Sequence, residues 1–136
     1  MKLLILDCNK FEYKLDHKTA VGEEVSKELM QGKYDNPLMI FISIEEKDQE
    51  ITITEIAKDI RRIARKNGTN LIILNPFAHL SSSLARPEKA VSILENLTKK
   101  LQECHDFKTI RSVFGWYKQF IVDVKGHDTS QIYREY

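Results

Sequence analysis

Two stretches of the chain carry side chains able to move protons or hold an oxyanion near neutral pH. In "NLIILNPFAHLSS" an apolar run ends at Asn75 and passes through Pro76, Phe77 and Ala78 to a solitary His79, with Ser81, Ser82 and Ser83 behind it. In "FGWYK" Gly115 permits a tight corner after Phe114, and Tyr117 and Lys118 follow. Histidine is a proton carrier as well as a common capping residue. A lysine at a strand end is either a catalytic cation or a solvated residue that protects an edge. The serines lack the G-x-S-x-G elbow that would make one of them a nucleophile, and they read as caps for the turn ahead of a helix. A third place is "ISIEE", where Ser43, Ile44 and Glu45 end a long strand and can offer main-chain N–H and C=O groups to a flat ring. Phe114 and Trp116 read as core or pocket wall. His79, His105, His127 and Cys104 show no metal-ligand spacing, so no metal site is expected.

The elements that must position these groups follow from periodicity. Lys2 to Asp7 and Phe11 to Leu15, separated by "CNK", read as an N-terminal β-hairpin turned at Asn9. "DHKTAVGEEVSKELMQGKYDN" is polar and without period, a loop with a short helix near Glu23 to Met30. Leu38 to Glu45 is nearly continuous in apolar residues, as in a central strand covered on both faces. "TITEIAKDIRRIARKNG" is a helix: Thr52 and Glu55 fit a capping box, Ile56, Ile60, Ile63 and Ala64 share a face, and Gly68 ends it. "NLIILNP" is a second buried strand. Pro87 then opens a helix where a missing N–H costs nothing, with Ala90, Leu94, Leu97 and Leu101 buried and Lys99 and Lys100 at its C-terminal end. "FKTIRSVF" and "KQFIVDVK" are strands hinged at "GWY", and "GHDTSQIYREY" is a tail of unassigned order. The order predicts an α/β fold, a single domain over residues 1–136 with a mixed β-sheet and two main helices.

Composition narrows the function. The chain has 136 residues, 42% of them hydrophobic, and 21 Lys and Arg against 20 Asp and Glu, for a net charge of +1. That balance is not the footprint of a general nucleic-acid binder, so contact with RNA must be local and no DNA partner is expected. The apolar start "MKLLIL" is too short for a signal peptide or a membrane span, which predicts a cytoplasmic protein with no membrane partner. Cys8 and Cys104 form no C-x-x-C pair and are expected as free thiols.

"PFAHLSS", "LARPEKAVSILENL", "FGWYKQF" and "VKGH" occur in an order and spacing that closely resemble the N-terminal editing domain of archaeal threonyl-tRNA synthetases, which shares its fold with D-aminoacyl-tRNA deacylases. The match runs from the first strand to His127. It implies removal of L-serine wrongly attached to threonine tRNA, with the acceptor end as partner and a homodimer as the assembly. A synthetase gains only about 1–3 kcal/mol from one methyl, so a second and tighter sieve is needed. The resemblance implies that His79, Lys118 and Tyr117 are the polar active-site residues. It implies that Pro76, Phe77 and Ala78 form a wall whose backbone holds the aminoacyl group, and that Ser43, Ile44 and Glu45 contact the terminal adenosine, with Phe114 and Gly115 at the corner beside them. It implies attack by water assisted by the terminal 2′-hydroxyl, with no cofactor; ATP and zinc would serve other domains of a longer synthetase. An acidic residue expected shortly after "VKGH" aligns with Gln131, with Glu135 further along.

Three other readings make distinct predictions. A D-aminoacyl-tRNA deacylase would carry a Gly-Pro chirality loop, whereas the three prolines here follow Asn36, Asn75 and Arg86. A non-catalytic module would bind the tRNA acceptor end or mediate dimerisation without turnover. A purely structural α/β domain would leave His79 and Lys118 far apart.

Overall fold

The computed structural model describes residues 1–49 and 52–136. Strand β1 spans Lys2–Lys18, β2 Gln31–Asp35, β3 Pro37–Ser43, β4 Leu71–Pro76, β5 Lys108–Arg111, β6 Trp116–Val124 and β7 Gln131–Glu135; helix α1 spans Ile53–Lys66 and α2 Pro87–Gln102. The first half of β1 lies between β3 and β7, and β3 continues in parallel to β4 and β5. The second half lies between β2 and β6. One long strand therefore belongs to two ladders and curls the sheet.

The hairpin expected from "CNK" is not formed: both of its arms are successive parts of β1. Asn9 does not take a left-handed turn conformation; it sits at a break in register between Cys8 and Lys10 in the β1–β6 ladder, where the strand bends rather than reverses. The true reversal comes in the loop of residues 19–30, after which β2 and β3 both run antiparallel to β1 and are joined by a bend at Asn36, whose φ of 52° is the left-handed conformation that asparagine tolerates. The loop before it contains a 3₁₀ turn at Lys27–Leu29, inside the expected helical stretch, and then β2, a polar edge strand that sequence periodicity missed. The tail is also a strand, β7, tied to β1 from Leu6 to Lys2.

The unbroken apolar run of β3 is explained by its two faces. Leu38, Ile40 and Ile42 pack with α1 and α2, while Met39 and Phe41 pack with Phe11, Tyr13 and Leu15 beneath the curled ladder. Ile56, Ile60, Ile63 and Ala64 of α1 and Ala90, Leu94, Leu97 and Leu101 of α2 are buried as the spacing predicts. Gly68 ends α1 at φ 67°, and Pro87 occupies the first turn of α2. The capping box is absent, because Thr52 is itself helical and its Oγ1 donates to the Gln49 carbonyl at 2.9 Å.

Candidate active site

The carboxyl ends of the parallel strands β3 and β4 open into a cavity of about 420 Å³. Ligand sites of open α/β sheets collect at such ends, where a rigid sheet aims the following loops. Ser43 and Ile44 from β3 and its end, Pro76 at the end of β4 with Phe77, Ala78 and His79 after it, and Phe114, Gly115, Tyr117 and Lys118 around the β6 corner all line it. His79 and Lys118, 39 residues apart in the chain, thus face one space, against the expectation for a purely structural domain.

Each wall is held by a traceable bond. Ser43 Oγ donates to the Phe77 carbonyl, and Phe77 N donates to Ile42 O at 2.9 Å, which docks the turn after β4 onto the end of β3. The Phe77 ring packs edge-on to Phe41 at 5.0 Å and to His79 at 5.1 Å, so the histidine is placed by its aromatic neighbour while its ring stays exposed. The corner at Gly115 requires φ 73°, and a Cβ there would meet the backbone of Val21 and Gly22 at 2.6–2.8 Å. The segment following β1 is therefore pressed against "FGWYK". Thr19 N and Oγ1 donate to Gly115 O at 2.9 and 2.6 Å, and Thr19 and Val21 close one side of the cavity. Tyr117 stacks at the rim on His17, at 4.5 Å.

Lys118 is the unusual charge. Its Nζ donates to Asn75 Oδ1 at 3.0 Å and to Ser112 Oγ at 3.2 Å, and Ser112 Oγ donates to the same Asn75 oxygen at 2.5 Å. Burial pulls its pKa down from 10.5 to about 8; Glu23 opposes that shift and Arg111 adds to it. Asn75 and Ser112, both buried, are site residues that the sequence reading left out. The signal was present in "LIILNP", where a polar residue closes an otherwise apolar strand.

Glu45 behaves differently from its neighbours. Its carboxylate accepts Ser81 Oγ at 2.6 Å and the Met1 ammonium at 3.0 Å, with Lys2 and Lys47 each at 3.6 Å. The Ser81 hydroxyl and then the ammonium hold its pKa down to about 2 despite burial. Its side chain braces the loop under the site and does not line the cavity. Ser81 is thereby committed to Glu45 and also accepts from Ser83 N, so it caps the turn ahead of α2, as the sequence predicts, and braces this loop. Cys8, the other conceivable nucleophile, is fully buried and its thiol is pushed up to about 11 by burial. "VKGH" lies elsewhere: Lys125 and His127 both bind the buried Asp7. Gln131 and Glu135 lie on β7, where they pair with Leu6 and Lys2, and neither lines the cavity. Among the described residues no group of three or more His, Cys, Asp or Glu side chains could hold a metal ion, and no helix is long and apolar enough to cross a membrane.

A curled mixed sheet with two helices on one face and a cavity at the parallel strand ends is the D-aminoacyl-tRNA deacylase-like fold. The solved structure of the c-Myc DNA unwinding element binding protein superposes with a TM-score of 0.72 over 100% of this chain and 99% of that one, at 12% identity, a likeness of fold alone. Over residues 1–136 the chain matches the archaea-specific editing domain of threonyl-tRNA synthetase, and it belongs to that family. Its relatives include the threonine–tRNA ligases of Staphylothermus marinus, 38% identical over 133 residues, and of Methanothrix thermoacetophila and Methanocaldococcus jannaschii, each 36% identical. These alignments take in 97–99% of this chain but only 22% of each ligase. The general role is tRNA proofreading.

Proposed function

We propose that the cavity removes L-serine from Ser-tRNA(Thr) by hydrolysis, and that residues 1–136 act as one editing domain of a longer synthetase. The observation that carries this reading is Lys118, a cation held in a small cavity by neutral oxygens, with no carboxylate bound to it among the described residues. An ammonium has three N–H donors, and two are used on Asn75 and Ser112. The third serves the aminoacyl carbonyl oxygen, where negative charge develops as water attacks. The C–O3′ bond then breaks, the 3′-oxygen takes up a proton, and serine leaves as the free amino acid.

No protein nucleophile is required. Ser43 and Ser81 are engaged with Phe77 and Glu45, and Cys8 is buried away from the cavity. The terminal 2′-hydroxyl, on the carbon next to the ester-bearing one, orients the water and relays its proton to the 3′-oxygen. His79 and Tyr117 at the rim help place the nucleotide and the water, and the backbone of Pro76 to Ala78 holds the aminoacyl group. The methyl of threonine meets this wall or displaces the water. A near-neutral surface suits recognition of the acceptor end by shape and main-chain bonds, the tRNA body being held by other domains. A homodimer belongs to the same reading: among the described strands β6 pairs only with β1, and Phe120 and Ile121 stand exposed on it.

The test is Ser-tRNA(Thr) ending in 2′-deoxyadenosine. Loss of hydrolysis by more than about a thousand-fold, beyond the effect of Lys118→Met, supports the RNA-assisted route. Unchanged hydrolysis of the deoxy substrate contradicts it.

A further inference from the structure

The neighbourhood of Lys118 contains an anion that does not reach it. The Glu23 carboxylate is taken on both oxygens by Arg111, at 2.9 and 3.1 Å, and again by the backbone N–H of Phe114 at 2.8 Å. The Trp116 indole fixes the same segment by donating to Glu23 O at 2.8 Å. Four N–H groups, from Arg111, Phe114 and Trp116, thus hold Glu23 in place and its charge is balanced by Arg111. Among the described residues, the hydrogen-bond partners of Lys118 Nζ are Asn75 Oδ1 and Ser112 Oγ, on residues 2% and 4% exposed. A carboxylate at either position would form an ion pair and use up the charge of the lysine. An amide and a hydroxyl fix its direction and leave the charge for the substrate.

We propose that Asn75 and Ser112 are positioning residues that orient the Lys118 ammonium for the reaction through neutral oxygens alone, with Arg111 keeping Glu23 from pairing with it. The proposal rests on the hydrolytic reading above, but its geometry can be tested separately. Asn75→Asp changes almost no volume and sets a carboxylate 3.0 Å from Nζ. The lysine should then titrate at higher pH than in the wild-type chain, because an opposite charge at that distance favours the ammonium. Ser112→Ala removes one bond and leaves the other.

The experiment is a pH titration of ¹³Cε-labelled lysine by NMR on the 136-residue chain, with the Lys118 signal assigned by its loss in Lys118→Met. It is run beside Ser-tRNA(Thr) hydrolysis by the same variants. Asn75→Asp should move the Lys118 midpoint up by at least one pH unit and lower kcat about ten-fold or more at pH 7, with KM changed less than three-fold. Ser112→Ala should lower kcat about three- to ten-fold, and Ser112→Thr, which keeps the hydroxyl, should restore it. A Lys118 midpoint unmoved by Asn75→Asp overturns the proposal, as does wild-type kcat in Ser112→Ala. Should Asn75→Asp fail to fold, the Ser112 pair decides alone. A midpoint shifted by Asn75→Asp, together with a wild-type chain that does not hydrolyse Ser-tRNA(Thr), supports the arrangement around Lys118 and contradicts the hydrolytic reading instead.

Discussion

Lys118 and Lys125 lie on and just beyond the same strand, seven residues apart, and have opposite surroundings. Lys125 Nζ sits 3.0 Å from the fully buried carboxylate of Asp7, reaches Asn36 as well, and shares Asp7 with His127 Nε2 at 2.7 Å. That cluster joins β1, the bend between β2 and β3 and the segment leading into β7. Lys118 lies near the other end of β6 and, among the described residues, is bound by an amide and a hydroxyl. A paired lysine holds the fold together. A lysine among neutral oxygens costs stability and stays available for a substrate. The two clusters sit at opposite ends of the parallel strands, so the end that opens the cavity carries the poised charge and the other end carries the fastening.

The contrast breaks most sharply under parallel substitution. Lys118→Met should reduce serine removal by about a hundred- to a thousand-fold, the range for loss of one oxyanion-stabilising donor, without lowering Tm. Lys125→Met leaves Asp7 buried with one partner fewer and should cost about 2 kcal/mol of stability, read by urea denaturation, while hydrolysis per folded molecule is unchanged. Were Lys125→Met to abolish turnover in a fully folded chain, the division between the two ends would be wrong.

pH sharpens the same comparison. The Lys118 pKa of about 8 lies below its ordinary 10.5, so the folded state binds this proton less tightly than the unfolded chain. Between these values the unfolded chain carries more protons, and stability therefore rises with pH, by on the order of 1 kcal/mol after solvent screening; Lys118→Met should flatten that rise. Activity has the opposite slope. If the ammonium is the working form, kcat/KM corrected for spontaneous ester hydrolysis should fall above pH 8 with a slope approaching ten-fold per unit. The smallest effect is expected at the exposed rim, where His79→Ala should lower kcat/KM about ten-fold with no change in Tm, checked by steady-state hydrolysis and calorimetry.

Much of the site could be read before the fold was known. Pro76 to His79, Ser43, Ile44, Phe114, Gly115, Tyr117 and Lys118 all line one cavity, because turn residues at the ends of apolar strands mark where a sheet presents its chemistry. Glu45 adjoins that group in sequence, but its side chain serves the Met1 ammonium, a contact 44 residues away that no local pattern encodes. Ser112 was hidden for the same reason, since its role exists only where β4, the end of β5 and β6 converge on Lys118, whereas Asn75 leaves a local trace as the polar residue that closes an apolar strand. The helices and the central strands were legible from apolar period and caps. The strand β1 was misread because an asparagine at a bend resembles one in a turn, and the edge strands β2 and β7 alternate polar residues too weakly to announce themselves. The segment Thr19 to Glu23 has no period, and its importance lies wholly in what it touches.

The most direct measurement is hydrolysis of Ser-tRNA(Thr) and Thr-tRNA(Thr) at equal concentration by the wild-type chain and by Lys118→Met. The central claim, that a neutral-walled cavity around Lys118 edits serine, predicts rapid loss of serine only, weakened at least a hundred-fold by the substitution. Equal loss of both amino acids, loss of neither, or a Lys118→Met chain as active as wild type would contradict it.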